Sequence, residues 1–247
     1  MNEDRTITTA DGEMGVVVSH PEGDGPFPVV VLFHHGPGMD EGSRELIQMI
    51  SDAGYYVIGP DRYYRHGHFI VMDMHAMSAP DADPEESKRF MDIFIGTTDD
   101  MMERDVQAVL EYLKTDPAAK QGPMGCIGYC IGARTVLRTI ASHPDVFRVG
   151  VGLHPSLCTT ADDDSPHLAV SSYPGRLYLG FGSLDQMQPA SANQPLMEAT
   201  NGLGDRGIAE VHEGADHGFG VPGGSYHEKA AGRSYEVAFE MFEKELV

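Results

Sequence analysis

Met124-Gly125-Cys126-Ile127-Gly128-Tyr129-Cys130-Ile131-Gly132 is an apolar run that ends in a cysteine flanked by glycines. Residues 124–128 read as a buried strand. Ile131 to Ser142 reads as a helix, with Ile131, Val136, Leu137 and Ile140 set among polar positions. Between them, Gly128-Tyr129-Cys130-Ile131-Gly132 has the Gly-x-nucleophile-x-Gly form of a nucleophile elbow, a motif that needs a strand, a sharp turn and a helix in that order. The glycines have a physical task there. The nucleophile sits in strained backbone, and neighbours without a Cβ let strand and helix approach closely. Such a turn lifts the Cys130 sulfur above the sheet. It also aims the amide of Ile131, at the helix start, toward a developing oxyanion. The alternative for any one cysteine is a buried, inert thiol, and that reading suits Cys126 and Cys158.

On both sides of the elbow, strands alternate with helices. Thr6 to Thr9 and Met14 to Ser19 read as an antiparallel hairpin around Asp11-Gly12. Pro28 to Phe33 is a near-continuous apolar run, as a central parallel strand requires. A helix over Gly42 to Ala53, a strand over Tyr55 to Ile58 and an amphipathic helix over Asp99 to Lys114 follow. Beyond the elbow helix come strands at 147–153, 176–181 and 208–212, with helices over Pro189 to Asn201 and Gly232 to Leu246. The expected fold class is α/β: one domain over 1–247, with a mostly parallel central sheet covered by helices on both faces.

Two further motifs lie where such a sheet holds its ligands, at the C-terminal ends of strands. Asp185, in Leu179-Gly180-Phe181-Gly182-Ser183-Leu184-Asp185, falls just past one strand and can accept a hydrogen bond from a histidine. A turn or cap aspartate is its alternative. His217, in Ala215-Asp216-His217-Gly218-Phe219-Gly220, follows the last expected strand. There an α/β-hydrolase places its general base, and nucleophile, acid, histidine is the hydrolase chain order.

These residues resemble the dienelactone hydrolase family of α/β-hydrolases over about residues 5–245. The likeness rests on the Gly-Tyr-Cys-x-Gly elbow, the Gly-x-x-Asp…Pro loop that ends at Pro189 and the His-x-Phe loop at His217 and Phe219. It also rests on Gly54-Tyr55-Tyr56-Val57-Ile58-Gly59-Pro60-Asp61-Arg62-Tyr63. The resemblance implies a Cys130–His217–Asp185 triad and hydrolysis of a small-molecule ester or lactone without metal or organic cofactor. Ile131 and Gly36 are the expected oxyanion donors, and His35, Phe94 and Phe219 the expected substrate contacts. A general carboxylesterase or thioesterase, or a catalytically weak binding protein that keeps the pocket, are the alternatives.

The departures from the family pattern are specific. Where the family commonly has a carboxylate beside the cysteine, Leu32-Phe33-His34-His35-Gly36-Pro37-Gly38 places His35. An imidazolium near sulfur would favour thiolate, in a way a carboxylate would not. Of the two family arginines that hold a substrate carboxylate, one position is Val221, and the other aligns with Ser87, beside Lys88 and Arg89. The reading is of a divergent member with another substrate.

The 247 residues carry 38 Asp plus Glu against 17 Lys plus Arg, a net charge of −21. That field disfavours nucleic acid and anionic membranes. Three cysteines offer neither a disulfide framework nor a zinc spacing. The polar N-terminus shows no secretory signal, and no apolar run is long enough for a membrane span, so a cytoplasmic monomer or small homo-oligomer is expected. Two segments interrupt the pattern. Arg65 to Glu86 reads as a lid with Met72, Met74 and Met77 as pocket walls, or as surface loop and short helix. His66, His68, Asp73 and His75 there match no zinc spacing, and no metal is expected. Thr159 to Pro174, with Asp162-Asp163-Asp164, reads as a solvated loop.

Overall fold

Val29, Val31 and Phe33 face one side of the sheet, while Val30 and Leu32 face the other, and all five are buried. That period of two, apolar on both faces, marks an interior strand with helices above and below. The computed structural model describes residues 2–73 and 83–247. It contains an eight-stranded sheet in the order β1-β2-β4-β3-β5-β6-β7-β8. The strands are β1 (Glu3–Thr9), β2 (Gly12–Ser19), β3 (Val29–Phe33), β4 (Tyr56–Pro60), β5 (Met124–Tyr129), β6 (Phe147–Leu153), β7 (Arg176–Gly182) and β8 (Gly207–His212). The β1–β2 and β2–β4 pairs are antiparallel, and the rest of the sheet is parallel.

Two apolar clusters fill the two faces. On one, the helices α3 (Asp99–Leu113) and α4 (Ile131–Ser142) press Val106, Val109, Val136 and Ile140 onto Val31, Cys126 and Leu179. On the other, α1 (Glu41–Asp52) and α6 (Glu228–Leu246) bring Leu46, Ile47, Val237 and Phe242 onto Val30, Ile127 and Val151. A short α5 (Gln194–Asn201) packs Leu196 into the first cluster. Caps fix where the helices begin. Asp40 accepts from the Ser43 amide at 2.8 Å ahead of α1, and Thr98 does the same for the Met101 amide ahead of α3.

The expected elements stand within a few residues of their places, with two differences. The helix expected over Pro189 to Asn201 is split into a 3-10 turn at 190–193 and α5. An additional helix, α2 (Pro84–Gly96), follows the N-cap Asp83 and buries Phe90 and Ile93. The Asp83-Pro84 start and the spacing of Phe90, Ile93 and Phe94 were its available signals. Thr159 to Pro174 contains a 3-10 turn at 166–172, and Asp162, Asp163 and Asp164 before it are exposed. Met74, His75 and Met77 lie outside the described residues.

Candidate active site

At Cys130, between β5 and α4, the backbone has φ 54° and ψ −117°, a left-handed conformation that non-glycine residues avoid. Neighbouring strands hold it there. The Cys130 amide donates to the Leu153 carbonyl at 3.0 Å, and the Cys130 carbonyl accepts from the Ser156 amide at 3.1 Å. A Cβ on Gly128 would lie 2.2 Å from the Gly132 carbonyl oxygen, which fixes why that flank is glycine.

Asp185 lies beyond β7 and His217 beyond β8, as expected. The two loops are stitched together: the Leu184 amide donates to the Ala215 carbonyl at 2.9 Å, and the Gly214 amide donates to Ser183 Oγ at 2.9 Å. His217 Nδ1 lies 2.7 Å from Asp185 Oδ2. A carboxylate can only accept, so Nδ1 carries the proton. Asp185 also accepts from the Gln188 amide at 2.7 Å. Burial alone would raise its carboxyl, but His217 and the Gln188 and Met187 amides outweigh burial and hold it below the usual range.

The opposite ring nitrogen, His217 Nε2, is buried and has no hydrogen-bond partner among the described residues. His217 and Cys130 are electrostatically coupled. Burial opposes a charged imidazole, yet Asp185 and Cys130 together push His217 up to about 10. For the thiol, burial acts upward, and His217, Ser156 and the Ile131 amide bring it below its ordinary value. Each group favours the charged form of the other. Cys126 and Cys158, with burial as the main influence, are both pushed above the physiological range.

The β3–α1 loop closes one side. His34 is buried and pushed down to about 3 by that burial. Its Nδ1 donates to the His35 carbonyl at 2.7 Å, and its Nε2 accepts the Arg62 amide at 3.1 Å, which fixes a neutral tautomer. The Tyr63 hydroxyl donates to the Gly36 carbonyl at 2.9 Å. That bond fixes the Gly36 backbone in the loop, and the half-buried Phe94 ring edge lies 3.8 Å from where a Gly36 Cβ would be. His35 gives Nε2 to Asp40 at 2.8 Å, the residue that caps α1. Burial resists that carboxylate, and His35 together with the Ser43 amide brings it down to about 2.

Phe219 stands apart from its expected place. It is fully buried, with its ring 5.5 Å from His154 and 5.2 Å from His212, in the core beneath the site. Val221 is likewise core. Lys88 and Arg89 are exposed on α2, paired with Asp92 and Glu86. Among the described residues no cluster of His, Cys, Asp and Glu could hold a metal ion, and no helix is long and apolar enough to cross a membrane.

Two residues in the site escaped the sequence reading. His154, at φ 40° just past β6, is buried with neither ring nitrogen partnered among the described residues, and its ring lies 4.9 Å from that of His217. Burial drives it neutral. Ser156 places its Oγ 3.2 Å from Cys130 Sγ. The signal for both was polar His154-Pro155-Ser156 at the end of an apolar strand on the ligand-binding edge.

A mostly parallel sheet with a strained cysteine at its strand–helix elbow, and acid and histidine loops at the same edge, defines an α/β-hydrolase. The chain belongs to the dienelactone hydrolase family, whose model matches residues 14–246. Carboxymethylenebutenolidases of Pseudomonas putida and Pseudomonas knackmussii are each 26% identical over 225 residues, which span 89% of this chain and 86% of theirs. Among solved structures, a dienelactone hydrolase-like promiscuous phosphotriesterase from metagenomic libraries superposes with a TM-score of 0.74 at 19% identity, covering 100% of this chain and 99% of its own. Acylaminoacyl peptidase of Pyrococcus horikoshii shares the fold over 42% of its length, with a TM-score of 0.71 at 16% identity.

Proposed function

We propose that this chain hydrolyses a small carboxylic ester or lactone through Cys130, His217 and Asp185, by way of a thioester acyl-enzyme. The observation that carries the reading is the 2.7 Å Asp185–His217 contact, with the other imidazole nitrogen unpartnered among the described residues and the ring coupled to a cysteine in strained backbone. The Cys130 thiolate attacks the carbonyl carbon, and the Ile131 and Gly36 amides receive the oxyanion. Losing one such donor typically costs about 2.7–4 kcal/mol of barrier. The tetrahedral intermediate collapses, the alkoxide leaves, and His217 protonates it. Water then gives His217 a proton and attacks the thioester, and thiolate leaves with the acid released. Sulfur is a better leaving group than an amide nitrogen, so esters, lactones and thioesters suit the site and peptides do not.

The carboxymethylenebutenolidase relatives suggest a lactone, but the site favours one without a free carboxylate. Val221 is core, and Lys88 and Arg89 already have acidic partners. Hydrolysis of an activated aryl ester tests the reading. Iodoacetamide should abolish turnover in step with an adduct mapped to Cys130. Full turnover from protein fully alkylated at Cys130 would sink it.

Asp185→Asn should lower kcat/KM about a hundred- to a thousand-fold, because an amide cannot support the imidazolium. Its stability deficit should depend on pH. The folded Asp185 midpoint is depressed, so its contribution is full above the unfolded midpoint of about 3.9 and lost as pH falls through the folded one. His217 is raised, so its share disappears as pH rises through about 10. Denaturant melts of wild type and variant should therefore differ most near neutrality and converge at both extremes.

A further inference from the structure

We propose that Ser156 is a catalytic residue: its hydroxyl donates to the Cys130 sulfur in the resting enzyme, and again to that sulfur as it leaves the acyl-enzyme. The inference rests on Cys130 being the nucleophile. Ser156 Oγ lies 3.2 Å from Cys130 Sγ, and the side chain is buried. Its amide donates to the Cys130 carbonyl at 3.1 Å, so Ser156 grips the nucleophile residue at two points. His35, the residue expected beside sulfur, is instead held by Asp40. The β6 exit, and not the β3–α1 loop, therefore supplies the side chain that touches the thiolate.

The chemistry follows from the donor. A hydroxyl can give its proton's hydrogen bond to a thiolate without transferring the proton. In acylation, the electron pair moves from sulfur to carbon and this hydrogen bond weakens. In deacylation, the C–S bond breaks, sulfur recovers its electron pair, and Ser156 stabilises the departing charge. The hydroxyl is thus a fixed donor for the leaving group of the second step, separate from the amides that receive the carbonyl oxygen.

The other groups that sense the Cys130 charge are His217 beyond β8, Arg62 and Tyr63 beyond β4, and Cys158 beyond β6. Arg62 is buried, which lowers its guanidinium from the ordinary value, but a guanidinium keeps its proton in proteins; it donates to Thr135 Oγ1 at 3.2 Å and to the Thr97 carbonyl at 2.9 Å. Tyr63 and Cys158 are pushed upward by burial and stay neutral near neutral pH. Ser156 does not titrate, and removing its hydroxyl changes only the hydrogen bonding of the sulfur.

Alkylation of Cys130 by iodoacetamide, followed across pH in wild type, Ser156→Ala and Ser156→Thr, tests this without any substrate. Loss of the donor leaves fewer thiolates but makes each more nucleophilic, with a Brønsted coefficient of about 0.4–0.5. Ser156→Ala should therefore react about threefold more slowly below the midpoint and about threefold faster on the alkaline plateau. Its curve should cross that of wild type, and Ser156→Thr, which keeps a hydroxyl, should move back toward wild type. With a thioester substrate analogue, pre-steady-state deacylation should also slow in Ser156→Ala. A Ser156→Ala curve that superposes on wild type, or is displaced by one factor at every pH, overturns the inference. Failure of the wild-type Cys130 to alkylate at all would instead overturn the nucleophile assignment on which it rests.

Discussion

Cys130→Ala is expected to remove ester hydrolysis to the background of the buffer, a loss of at least about a thousandfold in kcat, while the protein still folds. The side chain removed is small, and the features that hold the elbow are backbone hydrogen bonds to Leu153 and Ser156. Alanine has a Cβ like cysteine, so the strained φ of 54° is no worse than before. Cys130→Ser should fall between alanine and wild type. In the proposed mechanism, the proton already resides on His217, whose imidazole Asp185 and Cys130 push up to about 10 against burial. A neutral serine withdraws the thiolate's share, so the imidazole midpoint falls and His217 must act as base during attack. The pH profiles should show this. Wild-type activity should rise as pH passes the depressed Cys130 midpoint and fall as His217 loses its proton near about 10. The serine variant should lose that alkaline limb and gain activity as its neutral imidazole forms. Steady-state rates on one aryl ester across pH read both. An alanine variant as active as wild type would remove Cys130 from the chemistry.

The sequence carried the parallel sheet because β3, β5 and β6 are short and apolar on both faces, a pattern that surface strands and helices do not share. It carried Cys130, Asp185 and His217 because each lies within a few residues of a strand end, and a parallel sheet brings all such ends to one edge. Other features depend on contacts between segments distant in the chain. Whether His35 faces sulfur or Asp40 turns on a rotation within the β3–α1 loop, and the cap of α1 decides it. Phe219 reads as a pocket aromatic in its loop, but His154 from the end of β6 and His212 from its own strand β8 enclose it. Ser156 becomes visible as a partner of Cys130 only when β5 and β6 are paired in register, since 26 positions separate the two. The same pairing places His154 beside His217, which no local pattern encodes.

Gly132→Ala should damage both fold and activity. A Cβ at Gly132 would lie 2.2 Å from the Phe33 carbonyl oxygen and 2.7 Å from that of His34. These are backbone atoms at the end of the central strand β3, so no side-chain rotation relieves the clash. Overpacking typically costs about 1–3 kcal/mol where side chains can adjust, and a backbone collision belongs at or above the top of that range. The relief available is to move the β3–α1 loop away from α4, and that loop carries Gly36. Folded Gly132→Ala protein should therefore also lose activity, since a displaced Gly36 amide no longer meets the oxyanion held by Ile131. Gly232, on the exposed side of α6 with open space around its Cβ position, provides the contrast. Gly232→Ala should stabilise by about 0.5–1 kcal/mol through helix propensity alone and leave kcat unchanged. Denaturant midpoints and aryl ester turnover on the two variants separate the explanations. Close approach of strand and helix predicts opposite signs at the two glycines, whereas a general dislike of alanine for glycine in this chain would predict the same sign. Wild-type stability and turnover in Gly132→Ala would show that the elbow tolerates a wider strand–helix gap than its geometry implies.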